Sequence, residues 1–418
     1  MEKWKSKWKV GKLKVSEKYA CDVYPIVRKL ILGGVGVLAL GGLLFFATDV
    51  RPQGIGLNDL RFAALPAAAK APPPNPATKD KVALGRMLFW DPILSGRKDV
   101  ACATCHHPRF GYAENRDLSI GVDGLGLGAS RRFKPASSIP LVKRNSQTIL
   151  NTAFNGITDG GAPDPATAPM FWDLRAKGLE AQALEPIKTL EEMRGDTYTE
   201  ANAIPSVVAR LNSVVEYRDL FARAFGSARP ITGDQLGQAL AAFQRSLTAS
   251  NAPFDRYMRG AADAMSDGQL RGMRRFQRVG CINCHHGPMF SDYQVHVLGV
   301  PDNPLLRVSD TGVDQSYAFR TASLRNLTHT APYMHNGVFD SLRDVLEFYD
   351  DVSGRRGRAR NVHVSREQLD PLLRQLRDPD DRAGDLIAFL EALSDDSFDR
   401  TVPPRVPSGL KPGGNIQN

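Results

Sequence analysis

Between residues 81 and 398 no sustained alternation of apolar and polar residues appears, so an all-β sandwich or barrel is not expected. Cysteine is scarce. Five cysteines in 418 residues do not make a disulfide-stapled scaffold, and a chain of this length, 42% hydrophobic, buries two ordinary cores without staples. An excess of one charge is missing from most of the chain. The formal net charge is +9, but residues 1–29 hold nine Lys/Arg against three acidic residues, which leaves only +3 for residues 30–418. Nucleic acid is therefore not an expected partner.

What is present begins with that basic head, residues 1–29, and with LILGGVGVLALGGLLFFA, residues 30–47, eighteen residues without a charge. This length is about enough to cross a bilayer. Arg28 and Lys29 precede it, so the head should stay in the cytoplasm and the chain after Thr48 should be exported. The expectation is a transmembrane signal anchor in the inner membrane, holding the protein in the periplasm. A cleaved signal peptide, giving a soluble periplasmic protein, is the alternative, but bulky Phe45 stands where a small residue should precede cleavage after Ala47. Residues 48–80, including LPAAAKAPPPNPATKD, read as a Pro/Ala-rich linker, and residues 401–418 as a flexible tail.

The region between is expected to be mainly α. In DLIAFLEAL, residues 385–393, Leu386, Phe389, Leu390 and Leu393 share one face. Ser266 and Gln269 form a capping box for a helix running through Leu270, Met273 and Phe276 toward Cys281. Asp340 or Ser341 caps another, in which Leu342, Val345, Leu346 and Tyr349 follow the i, i+3, i+4, i+7 rule. On that pattern alone Tyr349 is a core tyrosine.

Four of the five cysteines fall into two C-x-x-C-H units, CATCHH at 102–107 and CINCHH at 281–286. One chance occurrence has a probability of roughly 10⁻³ at this composition, so two are not accidental. A Cys₄ zinc site, disulfides and a thioredoxin-like redox pair each leave the histidine without a task. Covalent c-type haem uses all three residues: Cys102 and Cys105, then Cys281 and Cys284, form thioethers to the vinyl groups, and His106 and His285 bind the irons. Two covalently bound haem c groups are expected, one in a domain spanning 81–235 and one in a domain spanning 236–400. The fifth cysteine, Cys21, lies in the head.

The remaining axial positions separate an electron carrier from an enzyme, because an open position admits a small oxidant. Only Met289 and Met334 follow the second motif; the histidine candidates are His107, His286, His296, His329, His335 and His363. His107 and His286 adjoin ligand histidines and so point elsewhere on the local turn.

The order LGRMLFWDPILSG, CATCHH, FWDLRA, CINCHH, FRTASLRNLTHTAPYMHNGVF and LIAFLEALSD, from about Val82 to Asp395, resembles the bacterial dihaem cytochrome c peroxidase superfamily, whose members carry two cytochrome c-like haem domains. In cytochrome c peroxidases of that superfamily a Met stands fourteen residues after the histidine matching His335 and binds the second haem; here that position is Tyr349, which is similar to the MauG branch. The resemblance implies that Tyr349 ligates the second iron. A hard phenolate oxygen favours ferric and higher states, where a thioether favours ferrous iron. It further implies a first haem at His106 that reacts with hydrogen peroxide, Trp172 between the haems, and Gln182, Pro186 and Glu192 in the distal pocket, with Glu192 as acid-base group and Glu191 as the neighbour of little consequence. An inter-domain calcium site is implied at Asn145 and the carbonyls of Thr330 and Pro332. Arg175 and Arg325 are candidates for the haem propionates.

One departure matters. Where the tryptophylquinone-maturing branch has a Trp two residues before the second motif, this chain has Val279, which puts that branch's exit route in doubt. Three functions follow: a MauG-like enzyme that uses peroxide to oxidise a periplasmic protein; a cytochrome c peroxidase fed by a small cytochrome or cupredoxin; and a non-catalytic electron-transfer dihaem protein.

Overall fold

Two crossed helix pairs set the architecture, and a glycine makes each crossing close. In the first, helix Lys79–Trp90 lies on helix Gly233–Ser246. A Cβ on Gly85 would stand 2.0 Å from the carbonyl oxygen of Ala239, so only glycine permits the approach. In the second, helix Asp267–Val279 lies on helix Ala383–Glu391, and a Cβ on Gly272 would stand 1.9 Å from the carbonyl oxygen of Asp385. Each pair delivers one cysteine motif: CATCHH follows the first helix of the first pair, CINCHH the first helix of the second.

These features come from a computed structural model that describes residues 61–158, 164–354, 356–379 and 382–416. The basic head and the segment 30–47, and with them the expected anchor, lie outside the described residues. Among those described, no helix is long and apolar enough to cross a membrane.

The architecture is mainly α, with three two-stranded antiparallel ribbons among the described residues. The one that matters for the site pairs Val295–Val297 with Ala318–Arg320, His296 lying opposite Phe319. Long loops make up most of the rest.

Burial follows the helix patterns. Leu386, Phe389, Leu390 and Leu393 are buried together with Phe254, Met273, Phe276 and Phe290 in the second core. Ser266 caps its helix as expected, accepting from the Gln269 N–H at 3.3 Å. Helix Leu342–Val352 is capped by Ser341 rather than Asp340, Ser341 accepting from the Asp344 N–H at 3.2 Å. It packs on two cores: Leu342 and Leu346 join the second core, and Phe348 and Val352 form a satellite core with Phe339, Leu369 and Leu373, against which Val345 and Tyr349 pack.

Three segments differ from the sequence reading. The first core takes residues from both sides of position 235/236, since Leu236, Leu240, Phe243, Leu247 and Ala249 all belong to it; the chain joins the second core at Phe254. In the linker, Phe62 and Leu65 are buried, Leu65 through an N–H bond to the Asp255 carboxylate at 2.9 Å. The segment 401–416 lies along the first core: Val406 is buried, Ser408 donates to Asp91 at 2.6 Å, and the carbonyl of Gly413 accepts from the hydroxyl of Thr104, inside CATCHH, at 3.0 Å. Pro and Gly content indicates turns in this segment, but its order comes from buried carboxylate and carbonyl acceptors contributed by distant residues.

Candidate functional site: one cavity, two cysteine motifs

The first motif forms a single helical turn, Cys102–Cys105, closed by a bond from the His106 N–H to the carbonyl of Cys102 at 3.0 Å. The second is launched by Gly280, whose φ of +106° ends the preceding helix and turns the chain into the short 3₁₀ turn Cys281–Asn283. The His285 N–H closes this turn on the carbonyl of Cys281 at 2.9 Å. All four thiols are free, and they do not converge on a Cys₄ site among the described residues.

Both histidines are fixed in one tautomer. His106 Nδ1 lies 3.1 Å from the carbonyl oxygen of Tyr112, and His285 Nδ1 lies 2.9 Å from that of Phe290. A carbonyl only accepts, so each Nδ1 carries the proton and each Nε2 keeps a lone pair for a metal. Burial pushes both imidazoles below the usual histidine range, which keeps them neutral as ligation requires.

A cavity of about 630 Å³ runs past both motifs and is lined by Cys105, His106, Cys281, Cys284 and His285. That is the scale of a cofactor pocket, not of a water site. Free thiols, imidazoles with available Nε2 atoms and a cavity of this size together fit covalently bound haem.

Around the first motif a smaller cavity of about 60 Å³ is lined by Cys102, Cys105, His106, Gln182, Pro186 and Glu192. The expected distal residues are thus brought together beside His106. Glu191 lines the large cavity but not this one. Glu192 sits in a five-residue π-turn, Leu190–Arg194, whose backbone is gripped from outside: the Val122 N–H donates to the Glu192 carbonyl at 3.0 Å, and a Cβ on Gly121 would lie 2.1 Å from that oxygen. Burial raises the Glu192 carboxyl from 4.5 to about 7, only partly opposed by Arg175. Gln182 Oε1 is buried without a hydrogen-bond partner, an acceptor held ready for a guest in the cavity.

Trp172 lines the cavity that both motifs share, its Nε1–H donating to the carbonyl of Asn145 at 3.2 Å. Its ring meets His335 edge-on with centroids 6.5 Å apart, and His335 in turn stacks on Phe319 at 3.7 Å. Burial pushes the His335 imidazole down to about 4, so it is neutral. Asn145, Thr330 and Pro332 line the same cavity. Asn145 Nδ2 donates to the carbonyl of Arg116 at 2.9 Å.

Tyr349 also lines the cavity, beside Cys281 and Cys284; burial and those two thiols push its phenol well above the usual tyrosine range. Met334 and Met289 line the cavity as well, Met289 also packing in a cluster with Phe154 and Tyr293. Of the other histidine candidates, His107 is an N-cap that accepts from the Arg109 N–H, and His329 pairs with Asp396. Arg325 is not available to a propionate: it is buried, ion-paired to Asp255 at 2.9 Å, and donates to the carbonyl of Pro288. Arg175 stacks on Phe171 at 3.6 Å and pairs with Asp173.

Two features escape sequence reasoning. His296 bridges two carboxylates, with Nδ1 2.7 Å from Asp370 and Nε2 3.0 Å from Asp292, beside Cys284. The i, i+4 spacing of Asp292 and His296 was readable, but Asp370 arrives from a distant loop. Glu114 is fully buried next to Cys105 and Arg131, its carboxyl raised by burial; nothing in its loop sequence signals this.

Two C-x-x-C-H motifs, each under a crossed helix pair and opening on one cofactor-sized cavity, define a c-type dihaem protein. The chain is 35% identical over 360 residues to cytochrome-c peroxidase IdrP1 of Pseudomonas sp. (strain SCT), covering 77% of this chain and 83% of that one. It is 33% identical over 376 residues to methylamine utilization protein MauG of Methylorubrum extorquens, covering 89% and 94%. A solved MauG-like protein associated with microbial copper homeostasis superposes with a TM-score of 0.61 at 26% identity, over 80% of this chain and 95% of that one. The family model for di-haem cytochrome c peroxidase matches residues 79–263. This chain belongs to the di-haem cytochrome c peroxidase family and is a haem peroxidase-type oxidoreductase with haem c as its cofactor.

Proposed function

We propose that the enzyme reacts with hydrogen peroxide at the His106 site and uses the oxidising power, shared with the His285 site, to oxidise a partner protein in the periplasm in the MauG manner. The observation that carries this reading is Tyr349, enclosed in the cavity wall beside Cys281 and Cys284. Cys102 and Cys105 hold the first haem and Cys281 and Cys284 the second, with His106, His285 and Tyr349 as iron ligands. When bound, the haems supply the redox chemistry by accepting the two oxidising equivalents of the peroxide.

The protein's own groups handle the protons. Glu192, with its carboxyl near 7, takes a proton from one peroxide oxygen and returns it to the other, so that the departing oxygen leaves as water. Gln182 Oε1 accepts from a peroxide O–H and orients it. Pro186, which has no N–H, walls the pocket without competing for the guest. Trp172, fixed by Asn145, lies between the two motifs as an electron relay. Asn145 Oδ1, with the carbonyls of Thr330 and Pro332, holds calcium, and the segment 30–47 anchors the enzyme to the inner membrane.

Met334 supports a second reading. If it binds the second iron in place of Tyr349, the enzyme is a peroxide-detoxifying cytochrome c peroxidase fed by a small cytochrome or cupredoxin. Optical and EPR spectra before and after one equivalent of hydrogen peroxide, in wild type and Tyr349→Phe, decide between them. The first reading expects a high-spin ferric haem beside a low-spin one and a long-lived oxidised species that Tyr349→Phe abolishes. Spectra unaltered by Tyr349→Phe but changed by Met334→Leu would establish the second.

A further inference from the structure

Among the described residues five large hydrophobic side chains are strongly exposed, and three of them come together on two loops beside the second site. Leu305, Val308 and Val362 are 53%, 67% and 88% exposed. Asp302 gathers the loops, its Oδ1 accepting from Ser309 Oγ at 2.7 Å and from Asn361 Nδ2 at 3.1 Å. The same loops carry Arg307 and Arg358, both exposed, and Arg360, which is exposed but paired to Asp351 at 3.1 Å. An apolar centre edged by guanidinium groups has the make-up of a protein interface, and its charge selects an acidic partner.

The inner side of these loops is the cavity wall, since Gly299, Val300, Asn361 and Val364 line the cavity. One aromatic pair spans the wall. Tyr317 lines the cavity and stacks on His363 with ring centroids 6.1 Å apart and planes 17° from parallel. The His363 side chain is 52% exposed and adjoins Val362. The cavity therefore has an aromatic connection to the surface at the centre of the apolar patch.

We propose that this face docks a redox protein whose contact surface is apolar and edged by carboxylates, and that Tyr317 and His363 carry electrons from it to the cavity. The inference rests on the peroxide-dependent reading above and adds the partner's surface chemistry and the route. Tyr317 yields one electron inward and releases its phenolic proton to water, then regains an electron from the partner, which is oxidised by one electron, and a proton from water. Two such passages, with two protons, reduce one hydrogen peroxide to two waters and leave Tyr317 unchanged.

The test uses the full-length holoenzyme with hydrogen peroxide and three donors: reduced acidic plastocyanin, a reduced basic cytochrome c, and ferrocyanide. At low salt the acidic donor should be oxidised at least about tenfold faster than the basic one, because complementary charge steers encounter, and the advantage should fade at about 0.5 M salt as screening shortens its range. Val362→Asp and Arg307→Glu should each lower the ratio of plastocyanin to ferrocyanide turnover about tenfold by disturbing the patch centre and its charge. Tyr317→Phe should lower the same ratio through kcat, with KM for plastocyanin retained. Val215→Asp, at another exposed valine, 61% exposed and outside these loops, should keep the wild-type ratio. A faster basic donor, or a ratio indifferent to Val362→Asp and Arg307→Glu, overturns the docking surface while leaving the peroxidase reading intact. Failure to consume peroxide with any donor overturns both.

Discussion

Replacing Glu192 by glutamine keeps the shape of the distal pocket and removes its proton carrier. With a carboxyl near 7, about a tenth of Glu192 is ionised at pH 6 and about nine tenths at pH 8. The ionised form is the one able to accept the peroxide proton. The second-order rate constant for peroxide, followed by stopped-flow absorbance, should therefore rise about tenfold between those pH values in the wild type. Glu192→Gln should lose roughly 10²–10⁴-fold and with it the pH dependence, equivalent to about 3–5 kcal/mol of barrier. Glu191→Gln should stay within a fewfold of wild type, since Glu191 does not line the small cavity. Stability should move the other way. The Glu192 carboxyl titrates at about 7 in the fold against 4.5 when free, so its burial is without penalty below about pH 4.5, and the penalty grows as pH rises and is complete above about pH 7. Glu192→Gln should therefore melt with wild type at pH 4 and above it at pH 8. A flat wild-type rate profile, or one retained in Glu192→Gln, would refute the assignment.

Two further substitutions probe how the second site is held. Asp255→Ala leaves Arg325 buried without its 2.9 Å partner and frees the Leu65 N–H, so it should destabilise by about 3–5 kcal/mol in denaturant melts, whereas a double variant with Arg325→Met should recover part of the loss. Phe348→Ala empties a fully buried position in the satellite core, costing about 3–5 kcal/mol; because Phe348 adjoins Tyr349 without facing the cavity, its variant should also broaden the EPR signal of the second haem, which an unrelated core deletion such as Phe221→Ala should not.

What the sequence made legible was whatever local spacing determines. The helix faces of 385–393 and 342–349, the Ser266 cap and the two C-x-x-C-H turns are all set by residues within one or two turns of each other, and the structure keeps them. Glu192 is different: a glutamate in EEM reads as solvent-facing, and it comes to line the small cavity where Gly121 and Val122 grip its π-turn from a loop about seventy residues earlier. Only the resemblance pointed to that position, because the partners that hold it lie far away in sequence. Arg325 fails in the opposite sense, because the sequence shows a free guanidinium and the fold hands it to Asp255. The order of residues 401–416 and the aspartate bridge around His296 share this character, since each depends on partners brought from more than seventy positions away.

The two motifs share a cavity but not a chemistry, and the walls explain the difference. Beside His106 the lining includes an unpaired acceptor on Gln182 and a carboxyl tuned to about 7, which suit proton transfer near neutral pH. Beside His285 the lining is mostly Leu342, Val345, Leu346, Leu373 and Leu376, and the ionisable pair there, His296 and Asp370, is bonded to itself at 2.7 Å. A group so committed neither takes nor gives a proton readily, which suits the electron-handling role proposed for the second site. In the shared wall His335 is neutral, stacked on Phe319 and edge-on to Trp172, which suits the relay proposed for Trp172. Glu192 lines the small cavity beside His106, and Tyr349 lines the large one beside Cys281 and Cys284, so in the proposed reaction the proton-handling and electron-handling groups belong to different motifs.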